Sequence, residues 1–237
     1  MKFEEKYISK VKTPILVPEH YKLLDVHKGR IHYQDIKTGE KHNDEPLFLH
    51  DKQKIFFNQF RTLFPNDSVI VLLFTPEGKL FLHRRAQSKK WEPNKIDLAS
   101  VAGQRRALLV GKDFQNEEIN ETALREISEE SGVERKKLSL KNLHLLGIHH
   151  NPHTDEYQTI FAYVLDVSLK KLNENIKKHE SHEVAEWLEQ EYEQTMREYF
   201  GKEVNKYAGG VKMRPVNFIS NPVLKKALDD FKINLKD

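Results

Sequence analysis

The chain has 237 residues, 38% of them apolar and 32% charged, and a formal net charge of +3. Such a composition fits a globular fold with a modest core, and so small a net charge argues against a basic face that would grip a nucleic-acid duplex. There is no cysteine, which excludes disulfides, thiolate metal sites and a cysteine nucleophile.

In chain order, the opening "MKFEEKYISK" lacks the apolar run of a secretory signal, and no later run approaches membrane-spanning length. A cytoplasmic location without a membrane partner is therefore expected. Residues 1–48 read as an N-terminal extension of uncertain structure, with strand-like pieces "PILV", "YKLLDV" and "RIHYQDI" separated by Gly29, Gly39 and polar turns. The main domain is expected over 49–237. In "DKQKIFFNQFRTLF", Phe56, Phe60, Leu63 and Phe64 fall at helical spacing and predict an amphipathic helix. "SVIVLLF", "TPEGK" and "LFLHRR" form the clearest hairpin, two apolar strands around a Pro/Gly turn. "KIDLASVAG" reads as one strand ending at Gly103.

Next comes an acidic helix containing "LREISEESGV". "LHLLGIHH" and "TIFAYVLDV" follow as strands, and "EWLEQEYEQTMREYFG" reads as a helix stopped by Gly201. "NPVLKKALDDFK" starts a last helix, with Asn221 as N-cap and Pro222 at the first helical position. Interleaved strands and helices predict an α/β fold, a mixed sheet with helices on its faces.

The acidic helix carries the chemistry. Residues three and four apart share a helical face, so Glu126, Glu129 and Glu130 converge on one small volume. At about 100° per residue, Glu126 and Glu130 border Ile119, Ala123 and Ile127, which sets them at the rim of a cleft. Crowded carboxylates there either hold their protons or gather around a cation. A solvated acidic face is the plain alternative for such a run on its own.

The wider spacing decides between the two. From Gly111 the chain runs five residues to Glu117, seven more to Arg125-Glu126, an aliphatic, one residue, Glu129-Glu130, one residue, then Gly132 and an aliphatic. This resembles the signature of the Nudix hydrolases at every fixed position, and the flanking strands extend the resemblance over about residues 65 to 200. The resemblance implies an α/β/α sandwich. It also implies Mg²⁺- or Mn²⁺-dependent hydrolysis of a phosphoanhydride in a nucleoside diphosphate derivative. By the family pattern Glu126, Glu129 and Glu130 are metal ligands, Glu129 and Glu130 are catalytic, and Arg125 and Glu117 hold the loop against the helix. Gly132 ends the helix as a left-handed cap. Two glycines compete for the motif position whose carbonyl lies near the metal: Gly111 by counting, Gly103 by its context at the end of "DLASVAG". Context favours Gly103, with "RRALLVGK" as a loop insertion.

Upstream, "LFLHRRAQSKKWEPNKIDL" is similar to the isopentenyl-diphosphate isomerase-like branch of the superfamily, and on that resemblance Arg84, Arg85 and Lys95 are expected to contact substrate phosphates. Isomerase chemistry needs a catalytic cysteine, which the chain lacks. A further acid completes the site or acts as base: Glu183 is preferred, with Glu180, Glu186 and Glu156 as rivals. The histidines of "HHNPH" are weighed as ligands against an ordinary polar loop. The rival class of function is a Nudix-fold module that senses a nucleotide derivative without cleaving it. A second copy of the chain is a candidate partner.

Overall fold

The extension folds as β structure. β1 (Phe3–Lys6), β2 (Ile15–Pro18), β3 (Tyr21–His27), β4 (Arg30–Asp35), β5 (Lys41–Asp44), β6 (Pro46–Phe48) and β7 (Ile55–Phe57) make two small sheets, ordered β1-β2-β7-β6 and β3-β4-β5. This computed structural model describes residues 2–8, 11–48, 55–57, 66–152, 155–179, 183–209 and 217–235. The first sheet thus continues past residue 48, because β7 pairs with both β2 and β6. Ile55–Phe57 is strand, not the start of the expected amphipathic helix. Pairing with two neighbouring strands overrides a helical spacing of aromatics, since β-branched and aromatic residues suit a pleated surface equally well. The rest of that expected helix, with Phe60, Leu63 and Phe64, lies outside the described residues.

The main sheet is built on β8 (Asn66–Phe74), the hairpin strand β9 (Lys79–Arg85), β10 (Ile96–Asp97) and β11 (Val101–Gln104). The expected single strand "KIDLASVAG" is two strands: Ile96–Asp97 pairs with β9, whereas Val101–Gln104 pairs with β8. Ser100, fully buried, sits where the chain changes partner. Its hydroxyl accepts from Leu73 N–H at 2.8 Å and donates to Phe81 C=O, which satisfies one backbone group on each of β8 and β9 at the split.

A small hairpin, β12 (Ala107–Val110) and β13 (Asp113–Asn116), precedes helix α1 (Ile119–Ser131). Then follow β14 (Leu143–Asn151), β15 (Glu156–Val164), α2 (Leu169–His179), β16 (Val184–Glu191), α3 (Tyr192–Phe200) and α4 (Pro222–Asn234). β15 runs parallel to β8 along its length, while β9, β11, β14 and β16 pair antiparallel with their neighbours, giving a mixed sheet of seven strands.

Two-residue alternation splits the core between the two faces of this sheet. Val69, Val71 and Leu73 join Ala123, Leu124 and Ile127 of α1 and Leu172 of α2. Ile70, Leu72 and Phe74 join Tyr192 and Tyr199 of α3 and Leu224 and Leu228 of α4. The architecture is therefore an α/β/α sandwich around a mixed sheet. β16 corrects the expected helix over "EWLEQEYEQTMREYFG", for only Tyr192–Phe200 is helical. Trp187 packs on the α1 face and Leu188 on the other, an alternation of period two that β9 enforces by pairing from Arg85 to Lys79. At α4, the Asn221 side chain accepts from Val223 N–H at 3.0 Å and caps the helix before Pro222.

The extension and the hairpin share a third core. Ala107 and Phe114 pack with Val11, Ile15, Val17, Val26, Ile31, Tyr33 and Ile55. Lys12 N–H donates to Lys112 C=O at 2.8 Å, and Phe114 N–H to Thr13 Oγ1 at 3.2 Å. The stretch "RRALLVGK" is thus where the extension docks.

Candidate active site

Helix α1 lies with Ala123, Leu124 and Ile127 fully buried under the sheet, and this packing aims Glu126 and Glu130 inward. Its C-terminus is ended by Gly132 at φ +67°, whose N–H donates to Ser128 C=O at 3.0 Å. A side chain would be strained in this left-handed conformation.

Glu126 and Glu130 are both buried, whereas Glu129 is exposed. Burial pushes the Glu126 carboxyl up to about 7, with Arg125 opposing and Glu129 reinforcing the rise. Burial also raises Glu130 well above the ordinary carboxylate range, against the Ala102 N–H that it accepts at 3.0 Å; Glu126, Glu183 and Asp97 add repulsion.

Arg125 is threaded through the cluster. Its guanidinium reaches Glu117 at 2.9 Å, Glu129 at 3.1 Å and Glu126, and donates to Gln104 C=O at 2.9 Å. Burial works to raise Glu117, but the hydrogen bond and charge of Arg125 more than offset it and hold the carboxyl low. Glu117 also accepts from Thr122 Oγ1 at 3.0 Å and from Arg106 N–H at 3.3 Å. Arg125 and Glu117 therefore tie the start of α1 to the end of β11.

The two competing glycines differ sharply in setting. At Gly103 a Cβ would collide with the Glu126 carboxylate, so a side chain there would have to displace that acid from its present position. Gly111 turns the β12–β13 hairpin at φ +65°, with nothing within 4 Å of where its Cβ would stand.

The acids face a cleft of about 540 Å³, lined by Ala102–Arg106, Glu126, Glu129 and Glu130, with Lys89 and Glu183 on one side and Glu45, Pro46 and Leu47 of the extension on another. Lys89 pairs with Glu183 at 2.8 Å. Arg106 spans Glu129 and Glu45, and Arg105 pairs with Asp67 at 3.2 Å. Lys89, Arg105 and Arg106 are the cations of the cleft among the described residues, and sequence reasoning passed over all three. "GQRR", directly after the strand-end glycine, was the available signal for two of them.

The expected phosphate contacts are not brought to this lining. Arg84 is held across the sheet by Glu186 at 2.7 Å, as their register on β9 and β16 dictates. Arg85 pairs with Asp97 at 2.7 Å and lies over Trp91 at 5.0 Å. Lys95 bonds to Asn205 C=O and, with Arg84, lines a separate groove.

Of the rival acids, Glu186 is the partner of Arg84, and Glu180 lies outside the described residues. Glu156 accepts from Gln104 at 3.2 Å in an adjoining chamber of about 290 Å³. That chamber shares Ala102, Gly103 and Gln104 with the cleft and is walled by Ile70, Gln158, Asn217 and Phe218. Ser68 Oγ, also on its lining, is buried without a hydrogen-bond partner among the described residues. In the "HHNPH" loop, His150 pairs with Asp155 at 2.8 Å, and His153 lies outside the described residues.

Among the described residues, no three acidic or histidine side chains already stand as a metal cage, and the Arg125 guanidinium bridges Glu126 and Glu129. The donor chemistry nevertheless fits a hard divalent cation: three crowded carboxylates, two of them held above their ordinary range, beside a backbone cradle that a Cβ would fill.

The family model described as NUDIX domain matches residues 65–203. The match is to the domain at large and does not single out the isopentenyl-diphosphate isomerase-like branch. Among solved structures, the DR0079 protein of Deinococcus radiodurans is similar at 17% identity and a TM-score of 0.45, over 68% of this chain and 82% of that one. A MutT protein of Methanosarcina mazei Go1 is similar at 17% identity and a TM-score of 0.41, over 73% of this chain and 96% of its own. No curated protein matches the chain.

Proposed function

We propose that this chain, which belongs to the Nudix family and is a Nudix hydrolase, cleaves the phosphoanhydride of a nucleoside diphosphate derivative with Mg²⁺ or Mn²⁺ as cofactor. The observation that carries this reading is the joint lining of one cleft by Glu126, Glu129 and Glu130 and by Lys89, Arg105 and Arg106. Acids alone would repel a diphosphate, and cations alone would bind it without reason to keep three carboxylates beside it. Together they suit a polyanion that arrives with a hard cation.

In this reading Glu126, Glu129, Glu130 and the Gly103 carbonyl would hold the metal. When bound, the cation offsets phosphate charge and polarises the phosphoryl oxygen. The chain's own groups do the rest. Arg125 and Glu117 keep the β11 end and the helix start in register, which sets the distance between Gly103 and Glu126. Lys89, Arg105 and Arg106 bind the phosphates by charge-assisted hydrogen bonds. Glu183, at the cleft wall beside Lys89, accepts the proton as water attacks phosphorus and the leaving phosphate takes the electron pair of the broken P–O bond. The adjoining chamber, with its amide-bearing walls and the Ser68 hydroxyl, takes the uncharged part of the substrate.

The test is a panel of nucleoside diphosphate derivatives incubated with Mg²⁺ or Mn²⁺ and read as phosphate released by a coupled phosphatase. Turnover that stops in excess chelator is expected. Tight binding of a panel member without turnover would favour the sensing module instead.

A further inference from the structure

The N-terminal extension supplies Glu45, Pro46 and Leu47 to the cleft, although they lie more than fifty residues before Gly103. One ionic chain crosses the junction. Glu45 Oε2 meets the Nε edge of Arg106 at 3.6 Å, while Glu45 Oε1 meets Arg30 at 3.6 Å. The other edge of Arg106 points the opposite way: Nη1 and Nη2 hold the two oxygens of Glu129 at 3.2 and 3.3 Å. Glu45 of the extension therefore stands behind the guanidinium at ion-pair distance, with the two-pronged fork turned into the acidic cleft.

The backbone beneath it is fixed as well. Arg106 N–H donates to Glu117 at 3.3 Å, and Arg106 C=O accepts from Glu117 N–H at 2.8 Å. The next residue, Ala107, is already buried in the core of the extension with Phe114. Arg106 thus stands on the seam where the β12–β13 hairpin meets the extension, and its aim depends on both sides of that seam.

We propose that the extension is a working wall of the active site, in which Glu45 positions Arg106 as a bidentate anchor for a substrate phosphate. The proposal deepens the hydrolase reading and rests on it. The fork that now holds a carboxylate has the geometry to hold two phosphate oxygens, which guanidinium groups bind in the same planar manner. The Arg106–Glu129 pair is half exposed, and such pairs are weak, so a phosphate carrying more charge displaces Glu129 from the fork. Glu129, freed from Arg106, keeps its contact with Arg125 at 3.1 Å and would be available to hold the metal of the proposed function. Glu45 keeps the Nε edge, so the guanidinium changes partner without losing its orientation. Arg30 takes the second oxygen of Glu45 and limits the repulsion that this acid exerts on an incoming anion.

The test uses the full chain and inorganic pyrophosphate as probe, with binding measured by calorimetry in Mg²⁺. Glu45→Gln should weaken binding about fivefold with little change in thermal midpoint, as expected for loss of two half-exposed pairs. Glu45→Asp should recover most of the affinity. Arg106→Lys, which keeps charge but loses the fork, should weaken binding about tenfold. With any nucleoside diphosphate derivative that is turned over, the Glu45→Gln loss should appear in KM and not in kcat. Wild-type affinity or tighter binding in Glu45→Gln would overturn the proposal, because Glu45 would then be only a negative neighbour; so would failure of the wild type to bind pyrophosphate. Weakened pyrophosphate binding in the variants without turnover of any derivative would sink the reaction and keep the anchor. Turnover with unaltered pyrophosphate binding would do the reverse.

Discussion

Glu129 and Glu130 share one helix turn but live in different surroundings. Glu129 is exposed and held by Arg106 and Arg125, whereas Glu130 is buried and accepts Ala102 N–H. Substituting either by Gln keeps the shape and an acceptor oxygen but removes the charge proposed to hold the metal. Glu129→Gln and Glu130→Gln should each lower kcat by at least about a hundredfold while the thermal midpoint stays near wild type, on the scale of losing an anionic group from a metal site. Glu183→Gln, which removes the proposed base, should lower kcat at least about tenfold with little change in KM. Steady-state kinetics with a calorimetric melt checks all three, and near-wild-type kcat in both helix variants would remove the proposed ligands.

Glu126 carries a separate prediction, for the metal-free protein. Burial raises its carboxyl from 4.5 to about 7, so between those values the folded chain holds a proton that the unfolded chain has released. Its contribution to stability therefore declines as pH rises through that window. Melts in chelator should show Glu126→Gln gaining on the wild type as pH goes from 4.5 to 7. A constant difference across the window would mean that the acid is not held above its ordinary range.

At the scale of elements, the ends of β11 and α1 meet where Gly103 touches Glu126. Gly103→Ala places a methyl group on that carboxylate and should cost most of the activity, since strand and helix are both pinned by Arg125 and cannot part cheaply. Gly111 sits in an open hairpin turn with positive φ, a conformation that Asn tolerates. Gly111→Asn should leave turnover near the wild-type value. If Gly111→Asn were the damaging change and Gly103→Ala the silent one, the position fixed by counting would be the functional one.

Across the whole molecule, the three larger cores among the described residues divide the work. Two flank the main sheet, and the third joins the extension to the β12–β13 hairpin through Ala107 and Phe114. Phe114→Ala should remove about 3–5 kcal/mol from that third core, the usual cost of deleting a buried aromatic ring. Hydrogen exchange should then quicken in residues 11–33 while Val69–Phe74, inside the main sheet, keeps its protection. Equal loss in both regions would mean that the extension and the sandwich unfold as one unit. No helix among the described residues is long and apolar enough to cross a membrane.

Local chemistry made the acidic helix legible before any fold was known. Glu126, Glu129 and Glu130 share a face because of helical spacing alone, and the turn glycine of the β8–β9 hairpin and the Asn221 cap of α4 act within a few residues of themselves. The aromatics of 55–57 and the "EWLEQE" run misled for the opposite reason: their state was decided by pairing with β2, β6 and β9, strands outside those segments. The same holds for charge. Arg84, Arg85 and Lys95 look like phosphate ligands in sequence, yet register hands Arg84 to Glu186, while Asp97 and the backbone of Asn205 hold Arg85 and Lys95. Lys89, Arg105 and Arg106 face the acids instead, one beside Glu183 and two at the docking seam of the extension. Helical periodicity and turn chemistry are properties of short segments, so the sequence by itself determined the acidic face and its caps. Which cations meet that face, and that the N-terminal extension walls it, follow from pairing and packing between distant segments, and only the tertiary structure decided them.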